Sequence, residues 1–271
     1  NKAVGYAAMD AISSCYNHFA VGFTALSANN SGAGNVALGY ACLYGNQTGN
    51  NNVAIGNQAV HTASGSVHNN IGIGEQALYS NAGRSSVIAI GYRAAYAHSG
   101  SGASNNIVIG NSAGSWGSGN SNFTKNVIIG DNAADNGTGG ENVLLGYNAG
   151  TTFTSGWRNV HIGGSTGQTT TTVHGQVIIG WGCNASGNAS EQTVLGYNNS
   201  GYSGGWFTVV DPDGKSYINP GSTSWSGTSD AGYKENIATS TAGLSFINDL
   251  RPVTFTYRKK KDIDSTLQGY T

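Results

Sequence analysis

The chain has 271 residues, a formal net charge of −1 and only 9% charged residues, with 43 glycines against 3 prolines; ordinary domains carry roughly 25% charged residues. That balance leaves no electrostatic footprint for nucleic acid or an anionic membrane. No stretch reaches the roughly 20 apolar residues of a membrane-spanning helix, and the N-terminus does not read as a signal peptide. Asn1-Lys2-Ala3-Val4-Gly5-Tyr6 opens inside a repeat, so the sequence reads as a piece of a longer protein. The abundant Asn, Ser, Thr and Gly would suit a disordered chain, but Val, Ile and Leu recur at regular intervals, which disordered chains lack.

From Asn1 to about residue 200 one pattern repeats. Asn35-Val-Ala-Leu-Gly-Tyr-Ala-Cys, Asn52-Val-Ala-Ile-Gly-Asn-Gln-Ala and Asn126-Val-Ile-Ile-Gly-Asp-Asn-Ala are copies of it. Its glycines are Gly5, Gly22, Gly39, Gly56, Gly74, Gly91, Gly110, Gly130, Gly146, Gly163, Gly180 and Gly196, spaced by 17, 17, 17, 18, 17, 19, 20, 16, 17, 17 and 16 residues. A period near 17 over twelve units predicts a stack of rungs, each unable to bury its own face alone.

Each position relative to the glycine has a role. Val, Leu or Ile always precedes it, and Val or Ile stands three before it in most copies, such as Val36, Val53, Val160 and Val177. Period 2 puts these on one face of a short strand, read as the core face. Ala recurs three residues after the glycine, and Cys42 and Cys183 take that place as small buried substitutes rather than disulfide or catalytic cysteines. Asn recurs four before it (Asn35, Asn52, Asn70, Asn106, Asn126, Asn142, Asn159), predicting amide ladders along the stack. The Gly, Asn, Ser and Thr clusters between are turn chemistry, so each unit reads as strand, turn, shorter strand, turn.

The residue two before the glycine is also apolar: Ala20, Ala37, Ala54 and Ala89, then Val108, Ile128, Leu144, His161, Ile178 and Val194. It alternates with the assigned core pair, so both strand faces are expected to be buried. Left alone, this second stripe would be a large exposed apolar patch. Three copies around an axis would cover it, which predicts a homotrimer. His161 would then form a ring of three imidazoles on the axis, a costly arrangement unless water, an anion or a metal such as Zn²⁺ satisfies it.

These Asn-Val-Ala-Ile-Gly-x-x-Ala units resemble the head repeats of trimeric autotransporter adhesins, which form left-handed parallel β-rolls, and the 17-residue versions resemble those of phage tail fibres. The resemblance implies an all-β, homotrimeric parallel β-roll of about twelve rungs over residues 1–200. It says little about ligand.

Residues 201–228 read as a β-rich connector. Phe207-Thr-Val-Val210 and Lys215-Ser-Tyr-Ile218 flank Asp211-Pro-Asp-Gly214, predicting a strand pair around a turn. Asp211 and Asp213 lack the further acidic ligands of a Ca²⁺ loop. In 229–271, a small α+β segment, Leu244, Phe246, Ile247 and Leu250 share a helical face within Ala242–Leu250; Pro252 ends it, and Val253–Tyr257 reads as a strand.

Ser229, Asp230, Lys234, Glu235, Asn236 and Ile237 match the opening of the endosialidase-type intramolecular chaperone that ends many phage tailspikes and fibres, although Ala231 and Gly232 stand where that family carries basic residues. The resemblance implies self-cleavage of the Thr228–Ser229 bond, with Ser229 as nucleophile beside Asp230 and Lys234 as its base, once the trimer has folded. A hydroxyl needs such a neighbouring base; on spacing alone, Ser229-Asp230 reads instead as the cap of a turn or helix start. The family domain is longer than 229–271, so this piece is expected not to cleave itself.

Gly72-Ile-Gly74 imitates a dinucleotide fingerprint but is a repeat unit without a following long helix. His18, His61, His68, His98, His161 and His174 form no metal motif along one chain. No cofactor and no enzyme activity beyond self-cleavage is expected. The residue after the glycine is aromatic in seven units, including Tyr40, Tyr92, Tyr147, Trp181 and Tyr197, and alternates with the core positions. It reads as an outward or inter-protomer ladder, with stacking on receptor sugars as its functional alternative. The expected function is a virion fibre, a rigid spacer that binds a host cell-surface receptor such as a glycan. A bacterial trimeric adhesin head and a polysaccharide depolymerase are the alternatives; the latter lacks a visible pair of carboxylates.

Overall fold

The computed structural model describes residues 1–227 except 64–65, 82, 98–104, 116–122, 136–138, 153, 170, 188, 199, 202–205, 212–213, 219–221, 223 and 225. The chain divides into two units, Asn1–Thr228 and Ser229–Thr271, and the first holds every described strand. The expected helix at Ala242–Leu250 and strand at Val253–Tyr257 lie outside the described residues.

The first unit is a parallel β-solenoid. Each repeat contributes one strand: β1 (Lys2–Val4), β2 (Phe19–Val21), β3 (Val36–Leu38), β4 (Val53–Ile55), β5 (Ile71–Ile73), β6 (Ile88–Ile90), β7 (Ile107–Ile109), β8 (Val127–Ile129), β9 (Val143–Leu145), β10 (Val160–Ile162), β11 (Val177–Trp181) and β12 (Thr193–Tyr197). They stack in chain order, and equivalent residues pair, as in Val36↔Val53, Ala37↔Ala54 and Leu38↔Ile55. The sheet runs past residue 200: β13 (Phe207–Asp211) adds to β12 in parallel with Thr193↔Phe207. The connector then folds back as expected, with β14 (Gly214–Ile218) antiparallel to β13 and β15 (Ser226–Gly227) antiparallel to β14.

The repeat glycine directly follows β1 to β10 and lies within β11 and β12, always at positive φ, for example +135° at Gly39 and +137° at Gly110. It is also a contact: a Cβ on Gly110 would stand 2.5 Å from the Gly130 carbonyl oxygen of the next coil. No side chain fits between coils there, so the motif has no substitute at that place.

The expected second strand is not formed among the described residues. The residues two and four after the glycine take left-handed conformations, as Thr24 (φ 51°), Leu26 (φ 53°), Gln58 (φ 54°) and Val60 (φ 52°) do. Residues with side chains adopt this region at a cost. Each conformation aims an amide at a neighbouring coil: Thr24 N–H donates to Tyr6 O at 2.9 Å and Leu26 N–H to Cys42 O at 2.9 Å. Coil-to-coil bonding therefore continues where no strand exists, and the backbone polar groups stay paired.

The interior reverses the expected strand faces. The residue two before the glycine lies inside the coil: Ala20, Ala37, Ala54, Val108, Ile128, His161 and Ile178 are fully buried. The flanking Val, Ile and Leu stand on the outer face and keep partial exposure, as the alternating pattern of β3 to β7 shows. The interior is too narrow for two bulky layers. Its other wall is the Ala three after the glycine, fully buried at Ala25, Ala59, Ala77, Ala94, Ala113 and Ala133. Cys42 and Cys183 occupy this wall and are also fully buried. The Cys42 Sγ–H donates to Gly56 O at 2.7 Å, and burial pushes its pKa up to about 11, so it is an inert thiol.

The residues two before and four after the glycine face each other across this space, and their sizes compensate. Toward the N-terminus small meets large: Ala20 with Leu26, Ala37 with Leu43, Ala54 with Val60, Gly72 with Leu78. Toward the C-terminus the bulk changes sides: Val108 with Gly114, Ile128 with Ala134, Leu144 with Gly150, His161 with Gly167. In these pairs close packing puts the bulk on one partner or the other, and Ala89 with Ala95, both small, marks the crossover between the two arrangements.

The predicted amide ladder shares this inward side. Asn35 Nδ2 donates to Gly49 O at 2.8 Å, while its Oδ1 accepts the backbone N–H of Asn52 at 2.9 Å. Asn106, Asn126, Asn142 and Asn159 continue the pattern, and Gln176 N–H donates to Asn159 Oδ1 at 2.9 Å. Val87 interrupts the amide column, and His18 substitutes in it, Nε2 donating to Gly32 O and Nδ1 accepting Asn35 N–H. A buried amide is costly unless bonded; this column stabilises the corner because both ends of each amide are used.

Candidate functional site

The solenoid's candidate functional groups lie on its outside. On the outer sheet face two aliphatic columns run side by side, one through Ile71, Ile88 and Ile107, the other through Ile73, Ile90 and Ile109. Ile129 and Ile179 are each 39% exposed. The chain covers its polar ladder and leaves this apolar strip to solvent.

Tyr40, Tyr92, Tyr147, Trp181 and Tyr197 stand at the strand ends, at the rim of that face, and are 47–54% exposed. The column is broken by Asn57, Glu75, Asn111, Asp131 and Gly164. Tyr6, Phe23 and Tyr40 form a continuous stack, with centroids 5.2 and 5.5 Å apart. Trp181 and Tyr197 are paired in register on adjacent strands.

A second ring ladder escaped the sequence reading. Five residues after the glycine, Tyr44, His61, Tyr79 and Tyr96 stack with centroids 5.2, 4.9 and 5.1 Å apart, and the Arg93 guanidinium carbon lies 4.1 Å from the Tyr96 ring centre. Burial between its neighbours lowers the His61 pKa. Its signal in the sequence was four rings in successive units at one offset, obscured because one ring is a histidine and the column then turns polar.

His161 does not stand on an outer face. It is fully buried inside one coil, between Leu144 and Ile178 in register, with its ring against Gly167. Three copies therefore cannot converge through it on an axis along the sheet face, and no group of three metal-ligating side chains occurs among the described residues. Its Nε2–H donates to Gln176 Oε1 at 3.2 Å, and burial lowers its pKa to about 4, so it is a neutral core imidazole. Arg84 is buried as well, with its guanidinium donating to Phe123 O at 2.9 Å. Ser229, Asp230 and Lys234 lie outside the described residues.

Residues 229–268 match the family model described as chaperone of endosialidase. That family occurs in phage tail proteins. No curated protein and no solved structure matched the chain. The class defined by these findings is a parallel β-solenoid followed by an intramolecular-chaperone segment. The chaperone match points to a protein of the phage tail fibre or tailspike type.

Proposed function

We propose that the chain is the shaft of a homotrimeric virion fibre, a rigid spacer that carries host attachment. The carrying observation is the pair of aliphatic columns on the outer sheet face, which the chain itself leaves partly exposed from β3 to β11. Two further copies in parallel would bury them as one apolar seam along the axis, replacing the axial role first assigned to the His161 column. The chaperone match favours a phage fibre over a bacterial adhesin head.

Attachment falls to the exposed rings at the rim, Tyr40, Tyr92, Tyr147, Trp181 and Tyr197, whose faces suit stacking on sugar rings of a surface glycan. In the chaperone segment, Ser229 is the nucleophile of self-cleavage at Thr228–Ser229, Lys234 its base and Asp230 its neighbour.

Light scattering tests the assembly. The wild-type chain runs at three times its monomer mass, and Ile90→Asp with Ile109→Asp lowers that mass by placing charges in the seam. A wild-type monomer at micromolar concentration refutes the proposal.

A further inference from the structure

The second ring ladder ends where the coil changes character. In the column five after the glycine, Tyr44, His61, Tyr79 and Tyr96 are followed by Ser115 and Asp135. Arg93 caps the last ring, and beyond it opens a groove of about 340 Å³ lined by Arg93, Tyr96, Ala97, Ser112, Ser115 and Asp135. The Ser115 hydroxyl donates to the Asp135 carboxylate, fixing its direction. The two longest repeats, of 19 and 20 residues, begin at Gly91 and Gly110, the units that supply most of this lining.

We infer that this groove is a binding site for a neutral saccharide, and the inference rests on the attachment reading above. One guanidinium and one carboxylate face the same space, so their charges balance and neither an anion nor a cation is favoured alone. Together they offer donors on one side and acceptors on the other, which suits neighbouring sugar hydroxyls, each both donor and acceptor. The edge of Tyr96 and the Ala97 methyl give an apolar wall for the C–H face of the ring, and the serine hydroxyls complete the polar side. The groove's lining residues lie two to six positions past the repeat glycine, off the outer sheet face. It differs from the rim column of Tyr40, Tyr92, Tyr147, Trp181 and Tyr197.

Saturation-transfer NMR on the trimer, with methyl glycosides of glucose, galactose, mannose and N-acetylglucosamine as probes, tests the site. Transfer to at least one glycoside is expected, with affinity reduced at least about tenfold in Arg93→Ala and Asp135→Ala and unchanged in Tyr16→Ala, an exposed ring outside both sites, while Tyr147→Ala with Trp181→Ala reads the contribution of the rim column separately. Unchanged melting curves for the groove variants separate lost contacts from lost fold. Transfer removed only by the Tyr147 and Trp181 changes overturns the groove while leaving glycan attachment intact. No transfer to any glycoside, or binding of inorganic phosphate instead, overturns the groove as a neutral-saccharide site; loss of cell adsorption by the whole fibre is what tests attachment itself.

Discussion

The exchange of bulk across the coil interior can be tested by moving it. Leu144 and Gly150 form a large–small pair, and a Cβ on Gly150 would lie 3.2 and 3.3 Å from the Leu144 Cδ atoms. Gly150→Leu alone overpacks this site and costs about 1–3 kcal/mol. Leu144→Ala alone opens a cavity and costs about 2–5 kcal/mol. Independent sites would add to about 3–8 kcal/mol. The double change instead rebuilds the Ala37–Leu43 arrangement of the N-terminal coils, and it should fall within about 1–2 kcal/mol of wild type. The left-handed backbone is no obstacle: Gly150 has φ 63°, and Leu43 and Leu78 hold φ 49° and 53° at the equivalent position. Urea unfolding at fixed protein concentration, followed by circular dichroism, gives the coupling energy. Additivity of the two changes would refute compensation between the columns.

Three further outcomes follow from the same geometry. His161 has a folded pKa of about 4 against 6.5 for the free side chain. Between those values the unfolded chain binds more protons, so stability is full above pH 6.5 and falls by about 3 kcal/mol per chain as the pH drops to 4. His18 and His61 are also lowered by burial and act in the same direction; the urea midpoint of His161→Leu should therefore depend less steeply on pH. Gly110→Ala combines a φ of +137° with a Cβ 2.5 Å from the Gly130 carbonyl, and should lower stability by on the order of 3 kcal/mol or more, read in a thermal melt. Mass spectrometry of the full-length protein should find a new N-terminus at Ser229, lost in Ser229→Ala and in Lys234→Ala; an intact wild-type chain in assembled trimers contradicts that cleavage.

Much of this fold is legible in one dimension because a solenoid repeats its local rules. The glycine spacing gives the coil count, since Gly110 has no room for a side chain beneath Gly130. The Asn column reads directly as a bonded ladder, because a polar residue recurring within an apolar unit needs a partner at the same place in the next coil. The hairpin around Asp211-Pro-Asp-Gly214 follows from turn chemistry. The left-handed residues do not read from sequence. Leu26 and Val60 have no intrinsic preference for that conformation, and the bonds that hold it come from coils 17 residues away.

The strand faces were decided by the tertiary structure alone. Both faces of Val53-Ala-Ile55 are apolar, so alternation fixes which residues share a side without saying which side is inward. The width of the coil chooses. Facing walls lined by Ala59 and Ala77 leave room for Ala54 or, with a glycine opposite, for Leu144, while the wider Val53 and Ile55 must stand outside. For the same reason His161 became a core residue of one chain instead of an axial ring, and the aliphatic columns took the outer face. Sequence by itself determined the period, the ladders and the turns, which depend on contacts between equivalent residues. Which apolar layer is enclosed depends on the distance between non-equivalent walls, and only the closed coil sets that distance.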